Sequence, residues 1–321
     1  MRIAIQDIDV TAYDCYRAVI AIIANHYGVP YQMISMGRWG FDYISSTDCL
    51  IGKMLNPHTI RKNNFLADSC GISVEKFEDN EVEIEKKIIS VIWNGSPIIA
   101  CSDLYECPWS DAYKKYHFQH FFLIVGYDMQ KQILICDDPY FKIKNLEYGL
   151  DTIISIVKNY RTLNVYKKAI NINDIVKQIN YDVNYYTQSA TYLRIAQYSY
   201  DIEKKLNIKE ELSGFNSDLY AVPLLDSLRI IATNRLGYAY MVRYFFEKYK
   251  LFKEETIISI ESCAKLWFKI RTMMIKLCVI PERSHNTERI VECIKEVNEL
   301  EYKIWNDIGN ECRFKLTDII N

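Results

Sequence analysis

Cys15, His120 and the adjacent carboxylates Asp137 and Asp138 are the residues whose types and order suit nucleophilic chemistry in this 321-residue chain. A thiol becomes a strong nucleophile when a neighbouring base takes its proton. An imidazole serves as that base when a carboxylate fixes its tautomer and stabilises the imidazolium. The surrounding sequence has to bring these groups together, and it carries signals that it does. TAYDCYRAVIAIIANHYGVPY reads as a turn and then a helix, with Asp14 or Thr11 as cap, Val19, Ile20, Ile22 and Ile23 on the apolar side, and Gly28 with Pro30 as terminators. Cys15 then falls in the first helical turn, where free backbone N–H groups and the positive end of the macrodipole stabilise a thiolate.

HFFLIVGYDMQKQILICDDPYF reads as two buried strands, His120 to Tyr127 and Gln132 to Asp137, joined by a short polar turn. In an antiparallel hairpin the start of one strand lies beside the end of the next, so a carboxylate lands near His120. An odd connection sets Asp138 across from His120, an even one puts Asp137 on its face, and the sequence leaves the register open. A metal reading competes for part of this region: His117 with Cys101 and Cys107 offers zinc-type donors, though their spacing is not that of a common zinc ribbon. The expectation is therefore no metal site. His26, His58 and His285 read as surface or last-turn histidines. Cys49, Cys70, Cys136, Cys263, Cys278, Cys293 and Cys312 read as inert residues in apolar or helical contexts.

Four ordered segments resemble a known family. DCYRAVIAIIANHYG, NGSPIIACSDLYECPW, HFFLIVGYD and CDDPY are similar to the N-terminal domain of BtrH, the butirosin-pathway acyltransferase, across roughly residues 10–140. That domain is related to the papain-like peptidase domains of bacteriocin-exporting transporters, and a further relative is CtaG, the amide-forming enzyme of closthioamide assembly. Cysteine first and histidine about a hundred residues later is also the papain-like order. The resemblance places the nucleophile on Cys15, the histidine on His120, the Asp-Pro pair on Asp138 and Pro139, and a further family aspartate on Asp103. One departure stands out. The oxyanion-hole glutamine that papain-like enzymes commonly carry six residues before the cysteine is Asp9 here, and Gln6 lies further off.

The rest of the chain bounds the function. Residues 1–160 carry 15 basic against 20 acidic side chains and mix short apolar runs with turn residues, the texture of an α+β unit. Residues 161–321 carry 24 against 21 and, from about Asn171, read as long helices. Ile260, Cys263, Trp267, Ile270, Met274 and Leu277 form one helical stripe that Pro281 closes. Ile290, Ile294, Val297, Ile304 and Ile308 form another, capped at Ser284 or Asn286. The expected architecture is an α+β, papain-like domain over 1–165 and an all-helical domain over 166–321 that covers an acyl and amine pocket. A net charge of −2 argues against nucleic acid, and no apolar run approaches membrane-spanning length. Asp7 and Asp9 interrupt the place of a signal peptide, so the expected location is cytoplasmic.

The resemblance implies a cysteine-dependent acyltransferase. It would move an acyl group from the phosphopantetheine thioester of an acyl carrier protein to a small amine, with no bound cofactor. The alternative from the same residues is a papain-like peptidase or hydrolase.

Overall fold

Asp14 starts the first helix: its carboxylate accepts the Arg17 backbone N–H at 2.8 Å, and Gly28, at φ +71°, follows the other end. The computed structural model describes residues 1–58, 71–78, 81–166, 171–215, 218–280 and 285–320. In chain order the elements are α1 (Cys15–His26), β1 (Asp42–Tyr43), α2 (Ile51–Met54), β2 (Leu55–Asn56), β3 (Ile72–Phe77), α3 (Glu81–Trp93), β4 (Ile98–Asp103), β5 (Gln119–Asp128), β6 (Ile133–Asp138), β7 (Ile143–Gly149), α4 (Leu150–Ile156) and β8 (Val157–Val165). Among the described residues six helices follow: α5 (Ile172–Gln188), α6 (Thr191–Lys205), α7 (Ile208–Glu211), α8 (Pro223–Tyr249), α9 (Glu254–Val279) and α10 (His285–Ile320). The fold is mixed α/β in its first part and helical in its second. No helix among the described residues is long and apolar enough to cross a membrane.

The chain divides into two units, Met1–Ile34 with Asn64–Ile170, and Ser35–Asn63 with Asn171–Asn321. The first is built on a six-stranded antiparallel sheet of order β3-β8-β4-β5-β6-β7. Strand residues alternate between its faces. Ile98, Ala100, Phe122, Ile124, Cys136 and Tyr160 point to one face and share a core with Ile84, Ile88 and Ile92 of α3 and Ile153 and Ile154 of α4. On the other face α1 meets β5, where Tyr16 lies 4.8 Å from Phe121 between ring centroids. α1 is buried along Arg17 to Ala24 on every side, where an amphipathic reading expects one apolar face.

The central hairpin has a defect that matters for the site. Four residues, Met129 to Gln132, connect β5 to β6, and beside this turn Asp128 pairs with Ile133 and Gly126 with Ile135. One step on, Ile124 pairs with Cys136 and Leu123 with Asp137, so Val125 is an extra residue, a β-bulge in β5. The N-terminal residues run alongside it: Ile3 N–H donates to Val125 O at 2.8 Å, and Arg2 bridges Gly126. A Cβ at Gly126 would stand 2.7 Å from Met1 O, so this approach requires glycine.

In the second unit, the stripe residues of α9 are buried as their spacing predicts, as are Ile290, Ile294, Val297, Ile304 and Ile308 of α10. Pro281 and Ser284 lie outside the described residues, as does the side chain of Asn286. Tyr238 and Trp267 are fully buried core rings. Trp39 and Gly40, although early in the sequence, are bound into these helices through a buried ion pair. Glu301 of α10, with no exposed surface, accepts Arg235 Nε at 2.9 Å, Trp267 Nε1 at 2.7 Å and Trp39 Nε1 at 2.9 Å. Arg235 Nη1 donates to Gly40 O at 3.0 Å.

A buried ion pair that loses one partner leaves the other charge stranded, at a cost of about 3–5 kcal/mol. Glu301→Ala is therefore expected to lower the urea-unfolding free energy by about that amount, followed by far-UV circular dichroism. A loss under about 1 kcal/mol would show that the Arg235 charge finds water or another acceptor.

Candidate active site

His120 is the second residue of β5 and Asp138 closes β6, and the bulge at Val125 decides how they meet. With an uninterrupted register from the four-residue turn, Asp137 would oppose Ile124 and share a face with His120. The extra residue moves Asp137 opposite Leu123, on the α1 face, and turns Asp138 onto the face of Phe122 and His120. His120 Nε2 and Asp138 Oδ2 are 2.6 Å apart, and both residues are buried. Asp137 instead accepts the Asn145 backbone N–H at 2.9 Å and secures the β6–β7 turn.

Asp138 has no exposed surface and three donors. His120 and Trp109 Nε1, the latter at 2.8 Å, share Oδ2, and the Phe141 backbone N–H reaches Oδ1 at 3.2 Å. Trp109 is the residue that sequence reading missed. Its only local signal is an indole in the CPW stretch of a loop, and nothing local shows which buried acceptor it reaches. Tyr140 and Phe141 follow the Asp-Pro pair and lie against the imidazole, with centroids 6.2 and 5.2 Å away. Burial disfavours a charged His120. The hydrogen bond that the ring donates to Asp138 and the proximity of Cys15 outweigh burial and hold the imidazole up at about 9.

Cys15 stands at the first position of α1, half-buried, with Sγ 4.0 Å from the Gln119 carbonyl oxygen, the residue before His120. Asp138 occupies Nε2 of the imidazole, which leaves Nδ1 to take a proton. The place of Cys15 in the first turn of α1 sets the sulfur at the positive end of the helix dipole. The cap's carboxylate is itself neutralised by Arg17 Nε at 2.8 Å. Burial pushes up the thiols of Cys101, Cys107, Cys136, Cys263, Cys278 and Cys312, with Cys107 at about 12 and Cys278 at about 11. Cys49 is exposed, contrary to its reading as an apolar-context residue, and Cys70 lies outside the described residues.

Asp103 and His117 are placed apart from this chemistry. His117 Nδ1 lies 3.0 Å from Asp103 Oδ2, and its ring stacks on Tyr105 at 4.2 Å. Asp103 also accepts Lys158 Nζ and the Tyr105 and Phe118 backbone N–H groups, each at 3.1 Å. Partial burial opposes its charge, but these donors together hold its carboxyl at about 2. The cluster clamps both ends of the loop that carries Trp109. Cys101 and Cys107 are buried, Cys107 against Ser102 Oγ at 3.1 Å, and no group of three possible metal ligands occurs among the described residues. His26 lies in the last turn of α1 and His58 is exposed; the side chain of His285 lies outside the described residues.

Asp9 accepts the backbone N–H and hydroxyl of Thr11, at 2.9 and 2.6 Å, and shapes the turn before α1. Its carboxylate offers acceptors, so it cannot replace a glutamine as oxyanion donor. A cavity of about 420 Å³ opens on the α1 face, walled by Ile22, Leu123, Asp137 and Pro139 among others.

Residues 14–138 match the family profile described as Butirosin biosynthesis protein H, N-terminal. The chain matches no curated protein.

Proposed function

We propose, on the match of residues 14–138 to the Butirosin biosynthesis protein H, N-terminal profile, that this chain is a biosynthetic, acyltransferase-type enzyme that works through a Cys15–His120–Asp138 triad on a papain-like scaffold and forms amides. The observation that carries the reading is the buried 2.6 Å contact between His120 and Asp138, beside a cysteine at a helix N-terminus.

His120 Nδ1 takes the Cys15 proton, and the thiolate attacks the carbonyl carbon of a thioester borne on the phosphopantetheine arm of a carrier protein. The C–S bond to the arm breaks, and the departing thiol takes the proton from His120. A small amine then attacks the acyl-cysteine. His120 receives the amine's proton and returns it to the sulfur as the amide leaves. One thioester replaces another in the first half, so no nucleotide is consumed and no bound cofactor is needed. Asp138 keeps the ring in the required tautomer throughout. The Cys15 backbone N–H faces the developing oxyanion. The apolar wall formed by Ile22 and Leu123 suits an aliphatic part of a substrate.

Intact-protein mass spectrometry tests this directly. The full chain is incubated with a panel of acyl groups on a phosphopantetheinylated carrier protein, and then with a primary amine. The expected result is one acyl increment, mapped to Cys15, that persists without amine and discharges to amide with it. Discharge to free acid at the same rate with or without amine would make the protein a hydrolase. No adduct with any donor, or an adduct elsewhere, would overturn the reading.

A further inference from the structure

We propose that Trp109 is a positioning residue that holds His120 in its working orientation through Asp138. The inference rests on the triad reading above, and it concerns a group that never touches the reacting atoms.

Trp109 Nε1 and His120 Nε2 converge on the same oxygen, Asp138 Oδ2, at 2.8 and 2.6 Å. A carboxylate with one donor can turn about its Cβ–Cγ bond and carry the imidazole with it. Two donors on Oδ2, with the Phe141 N–H on Oδ1, leave one orientation that satisfies all three. The carboxylate has no exposed surface, so water cannot replace a lost donor.

The indole is itself immobilised. It sits edge-on to Phe122 at 5.1 Å and against Tyr148 at 5.4 Å. Its loop is tied at Asp103 by His117, Lys158 and two backbone N–H groups. Asp103 therefore acts at the far end of the same chain of contacts, as the anchor of the loop that presents Trp109.

Trp109→Phe keeps a ring in the stack and deletes only the N–H. Phe122→Leu is the matched control, since it loosens the same stack and leaves the N–H in place. The readout is the rate of Cys15 alkylation by iodoacetamide against pH, with peptide mapping to separate it from the exposed Cys49. This reaction needs the His120-supported thiolate and no acyl donor.

In Trp109→Phe the rate at pH 7 should fall about 10-fold, the size of effect that losing an outer-shell hydrogen bond typically has. The pH midpoint should move upward, because an unlocked carboxylate supports the imidazolium less well. Phe122→Leu should stay within about twofold in rate, with the loss appearing in its melting temperature. Trp109→His, which returns a ring N–H donor, should recover part of the rate.

An unchanged profile in Trp109→Phe overturns the proposal, as does an equal rate loss in Phe122→Leu. If Trp109→Phe does not fold, Trp109→His with no more reactivity than Trp109→Ala overturns it as well. A shifted alkylation profile without any acyl adduct from thioesters would retire the acyl-transfer reading and leave the role of Trp109 standing.

Discussion

Cys15→Ala should abolish acyl transfer while the protein remains folded. The nucleophile has no substitute among the described thiols of this unit, since Cys101, Cys107 and Cys136 are buried and held protonated by their surroundings. Loss of a nucleophile that works as part of a triad costs on the order of 10⁵-fold or more in turnover. The structural cost is small, because Sγ is half-buried and its hydrogen-bond contact is a long one to Gln119 O. A melting temperature within a few degrees of wild type is expected. Cys263→Ala should do the reverse. That thiol is fully buried and donates to Glu301 at 3.6 Å, so its loss should lower stability by about 1 kcal/mol and leave the rate alone. Measurable amide formation by Cys15→Ala at a tenth of the wild-type rate would exclude the covalent route.

Asp138→Asn should cut turnover by about 10³- to 10⁴-fold with little change in binding, because an amide side chain lets the imidazole settle in the wrong tautomer. The same variant should change how stability depends on pH. His120 titrates at about 9 in the folded protein and at its ordinary 6.5 when unfolded. Between those values the folded chain holds a proton that the unfolded chain has released. The stabilisation is therefore complete below about pH 6.5 and is lost as pH rises toward 9. Asp138→Asn removes the carboxylate that sustains this shift, so its stability should fall less steeply over the same window. Urea midpoints at pH 6, 7.5 and 9 measure the difference. Parallel curves for the two proteins would mean that Asp138 does not sustain the charge on His120.

The sequence by itself located the local elements. Asp14 before an apolar run is a cap whatever surrounds it, because the bond it accepts comes from a residue three positions on. The stripe from Ile260 to Leu277 is equally local, since helical pitch alone brings those side chains to one side. Cys15 at a helix start and a carboxylate near His120 followed from the same short-range rules.

The tertiary structure decided which carboxylate. A turn of four residues, taken alone, assigns Asp137 to the face of His120, and one unpaired residue at Val125 reverses every position beyond it. That bulge sits where the N-terminal residues run against Gly126, more than a hundred positions away along the chain. Trp109 reaches Asp138 from a loop held at Asp103, and Trp39 is pinned by Glu301 in the last helix. Local pattern encodes which residues become helix or strand, because those bonds form between near neighbours. The choice of partner for a buried carboxylate or indole depends on strands and loops that meet only when the whole unit has closed, and no spacing in the sequence records that meeting.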